Sequence, residues 1–159
     1  MTEAHQFRTG DHPTPFSADE IRAGCPPGRT VRALVVRAGG EPHVRVTRFA
    51  SCDAEGADGE YWTESPDGVR LSEPEQERST WSEFQRHASM PAATTDIAEE
   101  TIDIPAGRFD CLRYTRRDDD GTVSTFWFAR SAPGMPLKFE VRAGGELVFS
   151  STAIEDVRP

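Results

Sequence analysis

The stretch Phe109 to Ala129, FDCLRYTRRDDDGTVSTFWFA, decides the fold. Two extended runs flank Asp118-Asp119-Asp120-Gly121, a hairpin turn in which glycine supplies the left-handed backbone that tight turns need. In the first run Phe109 and Cys111 oppose Leu112 and Tyr114. In the second, Trp127 and Ala129 face one way while Phe126 and Phe128 face the other. An antiparallel sheet with one wet face alternates more cleanly than this. Both faces therefore need cover. A docked helix would cover one. Sheet curvature, a partner chain or an apolar ligand would cover the other.

The same period extends outward. Leu137 to Val141, a turn at Gly144-Gly145 and Leu147 to Ile154 continue it toward the C-terminus. Ile102 and Ile104 precede a turn at Pro105-Ala106-Gly107. Further upstream, Val31, Ala33 and Val35 alternate with Arg32 and Leu34, and Val44 and Val46 resume after Ala38-Gly39-Gly40-Glu41. The pattern slips between Val46 and Phe49, which predicts a bulge. Tyr61 to Glu64 is a short strand and Pro66-Asp67-Gly68 a turn. Val69 to Leu71 is expected to begin the next strand, with charged Glu73 to Arg78 leading away from the sheet. Val36-Arg-Ala-Gly-Gly-Glu41 recurs as Val141-Arg-Ala-Gly-Gly-Glu146, read as two sequences converging on good hairpin turns.

Two helical signals interrupt the strands. Ser17 before Ala-Asp-Glu-Ile-Arg caps one or two turns, stopped by Gly24 and Pro26-Pro27-Gly28. Thr80-Trp-Ser-Glu83 is a capping box, followed by Phe84 and Ala88 at helical spacing and ended by Pro91. The fold expected is mainly β (α+β): a curved antiparallel meander or half-barrel of about nine strands, with one short helix at about 80–90 packed on it. Short connections force antiparallel neighbours. Residues 1–16, punctuated by Pro13 and Pro15, are expected to form a mobile arm, and 17–159 one domain.

Composition sets the margin. Leu, Ile, Val and Phe supply 29 of 159 residues and the net charge is −9, which borders on chains that cannot repay their conformational entropy. Their placement in period-two runs is what permits a core. The acidity opposes binding to a nucleic-acid backbone. No apolar run approaches a membrane span, and no secretory leader is visible at the N-terminus. A cytoplasmic location follows as the expectation. There is no asparagine, and Lys138 is the single lysine beside 17 arginines, a bias of GC-rich bacterial genes. Cys25, Cys52 and Cys111 are odd in number and widely spaced. They read as free thiols, with a Cys52–Cys111 bridge as the alternative.

The run Ile104-Pro-Ala-Gly-Arg-Phe-Asp-Cys111, the strand through Tyr114, Phe126-Trp-Phe-Ala129 and Pro136-Leu-Lys-Phe-Glu140 resemble uncharacterised bacterial proteins with the fold of the lipoprotein-localisation factors. The resemblance covers about residues 95–156. It implies a strongly curved sheet with helix in its concavity and a hollow able to accept acyl chains. On this reading neither the family's leader nor its lipobox cysteine is expected, and no functional residue is carried over.

Catalytic constellations are absent from the sequence. His5, His12, His43 and His87 share no metal-ligand spacing. Asp118 to Gly121 lacks the closing Glu of a calcium loop. Cys111 sits mid-strand without basic neighbours in sequence, and a Cys111–His87 pair would need the fold to join them. Neither an enzyme nor a cofactor is expected. Trp62, Trp81, Phe84, His87, Tyr114, Phe126 and Trp127 are the candidate lining of a hollow, joined by Phe128, with Arg113 or Arg116 holding an anionic head group. Two readings stay open: an interaction or structural module that self-associates as a homo-oligomer, and a binding protein for a small apolar or amphipathic ligand. A hollow of about 300–1,000 Å³ would favour the second.

Overall fold

A computed structural model describes residues 3–159. Nine strands form one antiparallel sheet: β1 (Thr30–Arg37), β2 (His43–Cys52), β3 (Gly56–Glu64), β4 (Glu75–Thr80), β5 (Thr95–Ile104), β6 (Gly107–Arg117), β7 (Val123–Ala129), β8 (Lys138–Ala143) and β9 (Glu146–Val157). Their order across the sheet is β4-β3-β2-β1-β9-β8-β7-β6-β5. Two meanders are thus joined where β9 pairs with β1. The pairing register Cys111↔Ala129 through Arg117↔Val123 makes the Phe109–Ala129 stretch the hairpin its alternation predicts.

Chain length forces the sheet to curl. Nine strands about 4.8 Å apart would put the flat edges β4 and β5 about 38 Å from each other. The connection between them is residues 81–94, and it contains the helix α2 (Trp81–Arg86). Pulled straight, such a segment would reach about 35–38 Å. It folds instead, so the edges must approach. The result is an open half-barrel with α2 inside it, beside the first helix, α1 (Ala18–Gly24).

Both helices carry full capping boxes. The Glu20 and Glu83 backbone N–H groups donate to the Ser17 and Thr80 hydroxyls, and each glutamate side chain accepts from its cap's own N–H. These short helices are held by packing rather than propensity. Trp81 and Ile21 are buried against Phe49, Leu112, Tyr114 and Phe128 of the sheet. Tyr114 packs edge-on to Phe128, with ring centroids 5.4 Å apart.

Several expectations are corrected. β4 is formed by Glu75–Thr80, the charged segment expected to leave the sheet. Val69 and Leu71 instead lie exposed in the β3–β4 connection. A sheet edge tolerates charge, which discourages pairing with other chains. The bulge falls between Phe49 and Ser51, slightly beyond the expected slip. The repeated Ala-Gly-Gly sequence folds in two ways. Gly144 and Gly145 both have positive φ, whereas in the β1–β2 turn only Gly39 does. α2 ends at Arg86, four residues before its expected end.

Residues 3–16, expected as a mobile arm, are placed across α2; Met1 and Thr2 lie outside the described residues. Gln85, buried on α2, donates to the Ala4 carbonyl (2.9 Å) and the Thr14 hydroxyl (3.0 Å) and accepts from Ala18 N–H. The Tyr114 hydroxyl donates to the Pro13 carbonyl at 2.7 Å. Burial without hydrogen bonds would cost each of these groups dearly, so the segment and the helix satisfy one another.

Candidate functional site

The register across the sheet assigns its inner face residue by residue. Phe126 pairs with Phe139, Phe139 with Ser151, Ser151 with Val35, and Val35 with His43. Directly paired residues in an antiparallel sheet share a face. All five line one hollow of about 530 Å³, bounded by the sheet on one side and by α1 and α2 on the other. Its floor is Val31, Ala33 and Val35 of β1 together with Phe128, Leu137 and Phe149. Phe126, Phe139 and Phe149 form a file of rings at centroid spacings of 4.6 and 5.4 Å. Ile21 and Phe84 come from the helices, His87 and Ala88 from the turn that follows α2. Arg37, Arg45, Tyr61 and Glu77 stand among the polar lining residues.

The candidate residues separate into three places. Phe84, His87 and Phe126 line the hollow. Trp81 and Tyr114 lie in the adjoining packed core, the Trp81 indole donating to the Asp53 carbonyl at 2.9 Å. Burial pushes the Tyr114 phenol well above its ordinary range, so it remains a donor. Trp62, Arg113 and Trp127 occupy the outer face. There the Trp62 indole donates to Glu64 (2.9 Å), which Arg32 also contacts, while Arg70 covers the ring at 4.7 Å. Trp127 donates to Glu100 (2.6 Å), as does Arg113 (3.1 Å), and Lys138 sits over the indole at 4.6 Å. The Trp127 hydrogen bond holds the Glu100 carboxyl below its ordinary range, against burial, and Arg113 adds to it. The outer apolar residues are thus roofed by cationic side chains, whose stems and charges both pack on rings. Arg116 is on the inner face, over Phe126 at 5.7 Å.

His87 and Cys111 do not meet. His87 is exposed at the hollow. Cys111 is buried on the face of Trp127 and Ala129, and burial, with Glu100 and Asp110 nearby, pushes its thiol up to about 11. The three cysteines are free. Cys52 lies against Cys25 rather than Cys111, its sulfur 3.4 Å from the Cys25 carbonyl oxygen.

No protein-family model and no curated protein sequence matches the chain. Solved structures do. A putative exported protein with a YmcC-like fold from Bacteroides fragilis gives a TM-score of 0.53 at 12% identity, over 84% of this chain and 97% of that one. MucB gives 0.60 at 12% identity, over 86% of this chain and 55% of MucB. The Pseudomonas aeruginosa MucA/MucB complex gives 0.58 at 14% identity, over 86% and 53%. The chain spans little more than half of MucB. These likenesses establish a shared β fold. They also correct the expected cytoplasmic location, since one neighbour is described as a putative exported protein and MucB has been solved with MucA(peri).

Proposed function

We propose that the chain is a non-catalytic binding module that holds a small apolar or amphipathic molecule in the hollow of its curved sheet. The observation that carries this is the hollow itself. At about 530 Å³ it falls within the range of small-molecule sites, and it is walled by valine and phenylalanine although two helices pack immediately beside it. A fold needing only a core would close such a space, because unfilled apolar volume costs stability. The same arrangement, helix inside a curved sheet, supports the resemblance to the lipoprotein-localisation factors. The neighbour MucB, solved with a protein partner, supports binding as the general role.

A neutral fluorescent probe, phenylnaphthylamine, tests the reading. Its emission is expected to rise saturably, with one probe per chain, and to fall when dodecanol is added. Emission that rises linearly without saturation, or not at all, would contradict it. Self-association is the second reading, favoured by the open edge strand β5 at the other end of the sheet from charged β4. It predicts that the mass in solution doubles with concentration whether or not probe is present.

A further inference from the structure

Polarity divides the hollow across the sheet. One wall is apolar: Phe126 and Phe128 of β7, Phe139 of β8, Phe149 and Ala153 of β9, and Leu137 just before β8, with Ser151 the exception. The opposite wall, from β2, β3 and β4, is polar: His43, Arg45, Thr47, Tyr61, Glu77 and Ser79. Its exception, Phe49, packs on Phe84 in the core, with ring centroids 6.0 Å apart. The floor strand β1 lies between the walls. It adds Val31, Ala33 and Val35 to the apolar side and ends at Arg37, over the Phe149 ring.

The pairing register shows where polarity changes. Val31 pairs with Thr47, Ala33 with Arg45 and Val35 with His43. Three successive inward positions of β1 thus each meet a polar neighbour on β2, and directly paired residues share a face. The boundary therefore follows the strands for about 13 Å. A single-tailed amphiphile lying along it would set methylenes against the polar wall for most of its length, where displaced water would leave polar groups without partners. A molecule with its polar groups along one side matches both walls throughout.

Thr47 and Tyr61 suit neutral hydroxyl groups. They are directly paired and half-buried. Neither side-chain hydroxyl has a hydrogen-bond partner among the described residues, and each can both donate and accept. Burial, with Glu77 nearby, raises the Tyr61 phenol, so it stays protonated. Arg45 and Glu77 bring this wall one charge of each sign.

Resting on the hollow as a binding site, we infer that its ligand is a facial amphiphile: a rigid fused-ring molecule whose hydroxyl groups face Thr47 and Tyr61 and whose bare face lies on Phe139 and Phe149. This adds the shape and the distribution of polarity to the proposed function.

The test is displacement of phenylnaphthylamine from the full chain by chenodeoxycholate and ursodeoxycholate, each below its micelle concentration. The two are epimers of equal charge that differ in the orientation of one hydroxyl. Both hydroxyls lie on one face in the first and on opposite faces in the second. A hydroxyl turned onto the phenylalanines is buried without a partner, so chenodeoxycholate is expected to displace the probe at about tenfold lower concentration. In the double variant Thr47→Val/Tyr61→Phe, which keeps side-chain shape and removes both hydroxyls, the ratio is expected to fall to within about twofold, with the circular dichroism spectrum of the parent. Equal displacement by the two epimers in the parent chain overturns the inference, as does a preference that survives in the folded double variant. A parent chain that takes up no probe overturns the hollow as a site, a distinguishable failure.

Discussion

Replacing Arg29 with alanine is expected to destabilise the protein by about 3–5 kcal/mol, the cost of breaking a buried ion pair from one side. Arg29 is wholly buried. Its Nε and Nη2 donate to the two oxygens of Asp156 at 3.1 and 3.0 Å, a bidentate pair that ties β9 to the entrance of β1. Nη1 donates to the carbonyls of Gly24 (3.1 Å) and Pro133 (2.7 Å) and contacts the Cys25 sulfur. One side chain thus joins the end of α1, the β7–β8 connection and the last strand. Without it the 7%-exposed Asp156 carboxylate keeps, among the described residues, the Arg158 cation at 3.8 Å. Domains are stable by only about 5–15 kcal/mol, so the loss is a large fraction. For a chain of this size it corresponds to a melting temperature lower by roughly 6–20 °C. Thermal unfolding followed by circular dichroism measures this. Arg29→Met combined with Asp156→Leu should recover much of the loss, since no charge is then left buried alone. A single substitution that melts within a degree of the parent would show that the tie carries no weight.

Ala33→Trp is expected to abolish ligand uptake while leaving the fold intact. Ala33 sits mid-floor, paired with Arg45 on one side and Ala153 on the other, and lines the hollow. An indole there fills space that a ligand would use, burying about 150–250 Å² of its own surface against the phenylalanine file. In a filled core the same change would force strain of about 1–3 kcal/mol; over an open hollow it should be neutral or stabilising. Phenylnaphthylamine affinity is expected to fall at least tenfold, about 1.4 kcal/mol, with the melting temperature unchanged or raised. Undiminished uptake would place the bound probe elsewhere.

Much of this architecture was legible in the residues, and the failures have physical causes. The Phe109–Ala129 hairpin, both capping boxes and most strands followed from period-two grouping and turn chemistry, because successive side chains of a strand point to opposite faces and a face that packs on a core needs an apolar residue at every second position. β4 escaped detection because an edge strand has little apolar to show: Glu75-Gln-Glu-Arg78 is exposed throughout. Val69 and Leu71 misled for the converse reason, being apolar residues left in water, 59% and 60% exposed.

The site was half legible. Alternation reveals which residues share a face, but not which face is inward. Phe126 and Phe128 were separated correctly from Trp127, and a candidate set drawn from both groups had to divide. Trp62 and Trp127 attract attention as large rings, yet each indole N–H seeks an acceptor and finds a glutamate on the outer face. Arg37, His43, Arg45, Phe139 and Phe149 were missed. The signal that could have found them is pairing register. Once Phe126 is taken as inward, a hairpin to Phe139 and the β9–β1 pairing carry the assignment across to Val35 and His43. The β9–β1 pairing itself joins opposite ends of the chain and has no local signature.

The central claim is that binding occurs on the inner face of the sheet. Methyl-resolved NMR during titration with laurate tests it most directly. Val31, Val35 and Leu137 of the hollow are expected to shift progressively and saturate together. Val44 and Val46, buried in the outer cluster with Trp62, should stay in place. Shifts confined to the outer valines, or an unchanged spectrum at saturating laurate, would contradict the account.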